Sequence, residues 1–158
     1  MWQSIIAERA LLHISSSAFE NEGVIPRKYT CDGAGINPPV KIEHVPEGTK
    51  SFVVLMDDPD APGKVFDHWV VWNILPNQQI KENSTPGSIG KNSLGKNEYI
   101  GPCPPSGEHR YFIKVYALDT LLDLDDTADK NRVETALEQH ILAYGELVGV
   151  YQKETKKH

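Results

Sequence analysis

Apolar residues recur along this chain at two spacings, and each spacing predicts its own kind of element. Residues 50–57 (KSFVVLMD), 65–75 (VFDHWVVWNIL) and 109–118 (HRYFIKVYAL) are short, rich in β-branched and aromatic side chains, and bounded by Pro, Gly, Asn and Asp. These are the marks of β-strands. The first run is the most continuously apolar, which predicts a central strand. Residues 38–46 (PPVKIEHVP) form a shorter strand candidate, and 10–15 (ALLHIS) fit either a strand or a short helix. Near the C-terminus Val133, Leu137, His140, Ile141, Tyr144, Val148 and Tyr151 fall at helical spacing behind Thr127 or Asp129 as N-cap, predicting a C-terminal helix. Gly145 and Gly149 would each cost that helix about 1 kcal/mol relative to Ala. Between Pro76 and Gly107 no period persists, and a long surface loop is expected. The fold class is therefore mainly β, with strands packed against a C-terminal helix.

A length of 158 residues suits one domain with a full core. A net charge of −6 lacks the cationic stripe that a nucleic-acid groove needs to displace counterions. The basic cluster Lys153, Lys156, Lys157 and His158 reads as a frayed tail. Two cysteines, Cys31 and Cys103, sit in no metal-binding or CxxC spacing, so neither a zinc knuckle nor a disulfide framework is supported. Glu8 and Arg9 interrupt the apolar N-terminal stretch, which makes a poor signal peptide, and no segment has membrane-spanning length. The expectation is a soluble cytoplasmic protein with reduced thiols.

Three stretches invite chemistry. GKNSLGKN, residues 90–97, matches part of a phosphate-binding P-loop, but Asn97 stands where Ser or Thr must hold magnesium, and Pro102, Pro104 and Pro105 exclude the following helix. It is read as a decoy. DDPDAPG, residues 57–63, is composed like a turn, yet His68 opens the next apolar run ten residues after Asp58. By alternation His68 shares a face with Val70, Trp72 and Ile74, while His109 shares one with Tyr111, Ile113, Val115 and Ala117. If strands 65–75 and 109–118 run parallel in one sheet, then Asp58, His68, His109 and Tyr111 gather at one end. Two imidazoles and a phenol would offer donors in a low-dielectric mouth, with Asp58 fixing an imidazole tautomer and the prolines of GPCPPSGEHRY as rigid walls. That describes a pocket for a phosphate-like or carboxylate group. Two rival chemistries stay open: a facial metal triad of two histidines and an aspartate, and a nucleophile set of Ser106 or Cys103 with His109, for which there is no GxSxG elbow. Arg110, of opposite parity, is expected to point away and pair with an aspartate such as Asp60.

DDPDAP (57–62), DHWVVWNI (67–74) and GPCPPSGEHRYFIKVYALD (101–119), in that order, resemble the phosphatidylethanolamine-binding protein family, also called Raf kinase inhibitor proteins. IPRKYTCDG (25–33), GTKSFVVLMDDPDAP (48–62) and ELVGVY (146–151) are similar to its short bacterial and archaeal branch. The resemblance runs from about Phe19 to Tyr151, leaving residues 1–12 as an N-terminal extension and 152–158 as a tail of one domain. It implies an antiparallel β-sandwich with a few peripheral helices and a small anion pocket. The implied ligand-binding residues are Asp58, Asp60, His68, Pro104, Pro105, His109 and Tyr111. Family members bind phosphate, phosphorylethanolamine and related anions, and some eukaryotic members inhibit kinases or proteases. No catalytic activity, cofactor or metal comes with the resemblance, so non-enzymatic anion binding is expected, with regulation of a protein partner as an extension. A hydrolase using Asp58, His68 and His109 is the alternative. No counterpart of the long C-terminal extension that lends a tyrosine to the animal pocket is expected. Short relatives can dimerise, so a homodimer is admitted. Anion affinity is expected to rise as pH falls through the histidine range, near 6.5 for an unperturbed group.

Overall fold

A computed structural model describes residues 10–77 and 79–154. A seven-stranded sheet organises them, with β1 (Ala10–Leu11), β3 (Gly23–Val24), β5 (Ser51–Asp58), β6 (Phe66–Ile74), β7 (Ser88–Ile89), β8 (Glu108–Leu118) and β9 (Ile141–Gln152). A two-stranded sheet of β2 (His13–Ser15) and β4 (Lys41–Glu43) is separate from it. The stretch 10–15 is thus extended, and the predicted central strand is the most protected element: all eight residues of β5 are buried. β5 pairs antiparallel with β6 on one side and with β8 on the other. β6 and β8 therefore run parallel to each other across β5, the condition for gathering the two histidines at one end. β1 and β3 both lie parallel to β9, so the sheet is antiparallel at its centre and mixed at its edge. Of the expected N-terminal extension, residues 1–9 lie outside the described residues, and Ala10–Leu11 form β1.

Each face of the large sheet buries its own core. Phe52, Val54, Met56, Ile113, Val115 and Leu147 pack under the small sheet with Leu12, Ile14, Val40 and Ile42. Val53, Leu55, Val70 and Trp72 pack on the opposite face with Val133 and Leu137 of the single α-helix among the described residues, α1 (Lys130–Leu137). Asp129 caps α1, its Oδ1 accepting from the Arg132 amide at 3.0 Å, so one of the two anticipated caps is used.

The predicted C-terminal helix is corrected beyond Leu137. Residues Ile141–Gln152 form the long strand β9, bonded along its length to β8. Of the residues that mimicked a helical stripe, Ile141, Tyr144 and Val148 lie on the α1 side of the strand, Ile141 through a register shift next to Ala143, whereas Tyr151 joins the opposite core. The inward positions include Gly145 and Gly149 because neighbouring chain crosses there. A Cβ on Gly145 would meet the Leu12 carbonyl oxygen at 2.6 Å, and one on Gly149 would meet Ile25 Cγ1 at 2.5 Å and Phe19 Cε2 at 2.8 Å. Gly145→Ala is expected to cost about 2 kcal/mol, as overpacking against backbone does, measured as a lower urea midpoint at unchanged m-value.

Alternation along β6 fails twice, and both failures are bulges. The pairing steps from Phe52 with Ile74 to Val54 with Val71, and again from Met56 with Trp69 to Asp57 with Asp67. At the first, Asn73 takes a left-handed φ of 57° and clamps Leu122, donating to its oxygen at 2.9 Å and accepting from its amide at 2.8 Å. At the second, His68 is the inserted residue. The expected sharing of one face by His68, Val70, Trp72 and Ile74 is therefore incorrect. Val70 and Trp72 face α1, whereas Ile74 joins the other core and His68 turns towards Tyr111. A bulge both twists a strand and re-aims a side chain, and here it turns His68 away from the helix side.

Candidate functional site

At the β5 terminus successive aspartates part company because neighbours in a strand point to opposite faces. Asp57 turns towards α1, where its Oδ2 meets Lys114 Nζ at 3.0 Å and Lys130 Nζ at 3.5 Å. Asp58 turns the other way and accepts from His109 Nδ1 at 2.6 Å, both groups buried. Its second oxygen accepts from the Asp60 amide at 2.8 Å, closing the turn that starts the 57–63 loop.

A cavity of about 320 Å³ opens here, and Asp58, His68, Pro104, Pro105, His109 and Tyr111 all line it. Sequence reasoning had gathered these six. Asp60 stands beside the cavity and is not part of its lining. Arg110 engages it twice, Nε at 2.9 Å and Nη2 at 2.8 Å, while the Arg110 amide adds a third bond at 2.8 Å. Those bonds hold the Asp60 carboxyl down at about 2. The expected Arg110–Asp60 pair thus joins the 57–63 loop to the start of β8.

Both imidazoles are oriented through Nδ1. His68 Nδ1 lies 2.7 Å from the Ile100 carbonyl oxygen, which only accepts, so Nδ1 carries the proton. The Asp58 carboxylate imposes the same tautomer on His109. Nε2 is then the uncommitted nitrogen on each ring, an acceptor when the ring is neutral and a donor when it is charged. Burial pushes the His68 pKa below its ordinary value, opposed by its bond to Ile100 and by the charge of Asp58. Tyr111 is 1% exposed, and its hydroxyl makes no hydrogen bond of good geometry among the described residues, with the Asp58 carboxylate close enough to act on it. Burial, reinforced by Asp58, raises its pKa above the ordinary tyrosine range, so it stays a protonated donor. Its ring stands edge-on to His68, with centroids 5.3 Å apart, and nearly parallel to His109 at 6.4 Å.

The stretch 99–105 forms one wall because it is fastened to residues 29–32. Tyr99 Oη donates to the Tyr29 carbonyl at 2.8 Å, and the Cys31 amide donates to the Pro102 carbonyl at 3.1 Å. Gly101 packs so closely that a Cβ would meet Tyr29 O at 2.6 Å. Cys31 and Cys103 are joined by a disulfide, their Cα atoms 5.4 Å apart. This corrects the expectation of reduced thiols: a separation of 72 residues conceals a contact made only when the two loops dock. It also removes Cys103 as a free nucleophile and withdraws the thiol argument for a cytoplasmic location. Among the described residues no helix is long and apolar enough to cross a membrane, and no group of three His, Cys, Asp or Glu is placed to hold a metal ion.

Sequence reasoning missed Phe66, Leu94 and Ile100 in the lining. Phe66 was legible as the residue two before His68. The role of Ile100 rests on its backbone carbonyl, which no side-chain pattern records.

A large β-sheet with this histidine, tyrosine and proline-walled cavity at the end of its central strands defines a class of small-pocket β proteins. The chain belongs to the phosphatidylethanolamine-binding protein family, whose model matches residues 15–152. A UPF0098 protein of Archaeoglobus fulgidus is 50% identical over 145 residues, covering 87% of this chain and 50% of that protein, so the chain spans half that relative's length. The crystal structure of the phosphatidylethanolamine-binding-protein homologue CT736 from Chlamydia trachomatis superposes with a TM-score of 0.87 at 36% identity, covering 91% of this chain and 99% of that one. Escherichia coli YbcL, described as a member of the mammalian family, superposes at 0.84 with 29% identity, covering 92% of this chain and all of that one.

Proposed function

We propose that this protein binds a small anionic group, such as phosphate, a phosphorylethanolamine-like headgroup or a phosphorylated side chain, without transforming it. The observation that carries the reading is the pair of imidazoles whose Nδ1 atoms are committed to Ile100 and Asp58, at 2.7 and 2.6 Å, at a shared cavity. Once protonated, their Nε2–H groups and the Tyr111 hydroxyl are three donors in a desolvated site, where charge-assisted bonds are strong. Pro104 and Pro105 supply preset walls, which lowers the ordering cost of binding. Asp60 and Arg110 hold the walls together in this reading and do not touch the ligand.

The sign of the pH dependence follows from the tautomers. Nε2 donates to an anion only when the ring is charged, so binding takes up protons. Sulfate, which keeps its charge between about pH 5 and 8, isolates the protein's share. Its affinity is expected to rise about tenfold or more from roughly pH 7.5 to 5.5, since one linked proton changes a binding constant up to tenfold per unit. The Cε1–H shift of His68 reports the linked protonation, and a pH-independent affinity with that shift unmoved would sink the proposal. Without ligand, the depressed His68 pKa acts on folding: its contribution is complete above about 6.5 and is lost as pH falls through the folded value.

The buried Asp58–His109 pair favours one second reading, a hydrolase in which Asp58 orients His109 as base. Turnover of phosphate or carboxylate esters that disappears in His109→Ala supports it, and turnover that survives that change refutes it.

A further inference from the structure

The loop that imitated a P-loop is built for another purpose. Asn92, 4% exposed, accepts at Oδ1 from the amides of Leu94 at 2.9 Å and Lys96 at 3.1 Å, and donates from Nδ2 to the Glu98 carbonyl at 2.9 Å. Gly95 completes the turn with a φ of 74°. Ser93 fastens the loop to β6, donating its amide to the Asp67 carbonyl at 3.0 Å and accepting from the Asp67 amide at 2.7 Å. A loop so fully bonded has little freedom to tuck a side chain away. Yet Leu94, the one apolar residue between 90 and 97, is 59% exposed and stands in the lining of the anion cavity. Pro62, Phe66 and Pro105 continue the apolar lining. Polar groups thus meet at Asp58, His68, His109 and Tyr111, and hydrocarbon surrounds them.

We propose that Leu94 determines ligand specificity by covering an apolar substituent attached directly to the anion, so that the pocket prefers an organic monoester or carboxylate bearing a small hydrocarbon group over the bare inorganic ion. The inference rests on the anion-binding reading above and adds the second half of the ligand. The occupant is fixed by continuity: Leu94 and the imidazoles line one cavity, so whatever covers Leu94 is joined to the group the imidazoles hold. A rigidly presented side chain loses little freedom when covered, which preserves the gain from burial.

Calorimetric titration with phenyl phosphate and with inorganic phosphate tests this. Covering ~40 Å² of apolar surface at about 25 cal/mol per Å² predicts roughly fivefold tighter binding of phenyl phosphate. Leu94→Ser is expected to lower the ratio of the two affinities towards one, the remaining lining of Pro62, Phe66 and Pro105 keeping a smaller preference, and Leu94→Phe to widen it. Leu94 is exposed, so both variants should fold, which circular dichroism verifies. Equal affinities in the unaltered protein, or a preference undiminished in Leu94→Ser, would overturn the assignment. Absence of phosphate binding by the unaltered protein would instead overturn the anion-site reading on which it rests, and the inference with it.

Discussion

Replacing Cys31 and Cys103 together by serine should lower the unfolding free energy by about 4 kcal/mol, the value that chain entropy assigns to a cross-link closing a loop of this size. The bridge spans 72 residues, so the unfolded chain gains most of the freedom. In the folded protein the two loops stay joined by the Tyr99–Tyr29 and Cys31–Pro102 bonds and by the close seat of Gly101. The loss should therefore appear as a melting temperature lower by roughly 10 °C, with the phosphate-induced histidine shifts retained. A dithiol reductant should reproduce the loss in the native sequence and do nothing to the double variant. A melting temperature indifferent to both reductant and substitution would show that the bridge contributes nothing.

Asp58→Ala should cost about 3 kcal/mol, because removing one partner of a buried, hydrogen-bonded pair leaves the other without compensation. Two bonds disappear at once, from His109 Nδ1 and from the Asp60 amide. The second closes the turn that presents Pro62 and Ala61 to the cavity, so the damage is not confined to one imidazole. Urea unfolding measures the loss, and nitrogen shifts of His109 should change from a single Nδ1–H tautomer to a mixture. Asp58→Asn keeps an acceptor for His109 and should fall between the two. An alanine variant as stable as the parent, with the tautomer intact, would mean that Asp58 does not orient His109.

Alternation was a good guide where one strand face meets a continuous core, and a poor one elsewhere. β5 was legible as central because both its faces are apolar, and β8 kept strict alternation, so His109 and Tyr111 fell on the correct side. β9 was misread because it is apolar on both faces and its inward row is interrupted by Gly145 and Gly149, where the side chains are supplied by Leu12, Ile14, Phe19 and Ile25 from distant sequence. Within the site, side-chain chemistry was legible and backbone chemistry was not. The histidines, the tyrosine and the prolines announced themselves, whereas the Ile100 carbonyl and the docking of Cys31 on Cys103 exist only once the long 76–107 loop folds back. Charge pairing was readable in one case, Arg110 with Asp60, because parity alone sent Arg110 outward.

The bulge at His68 means that the site and the core are encoded separately. Val70 and Trp72 would bury their side chains against α1 with or without it, so the hydrophobic pattern of β6 carries no information about where the histidine points. One added residue decides that. Shortening the strand by a single residue ahead of Trp69 would leave the packed centre of the sheet in register and rotate whatever stood next before it onto the helix side. Two chains with indistinguishable cores could therefore differ in having a binding pocket at all, and substitution tables that treat the strand position by position would not register the difference, because the determinant is a count and not an identity.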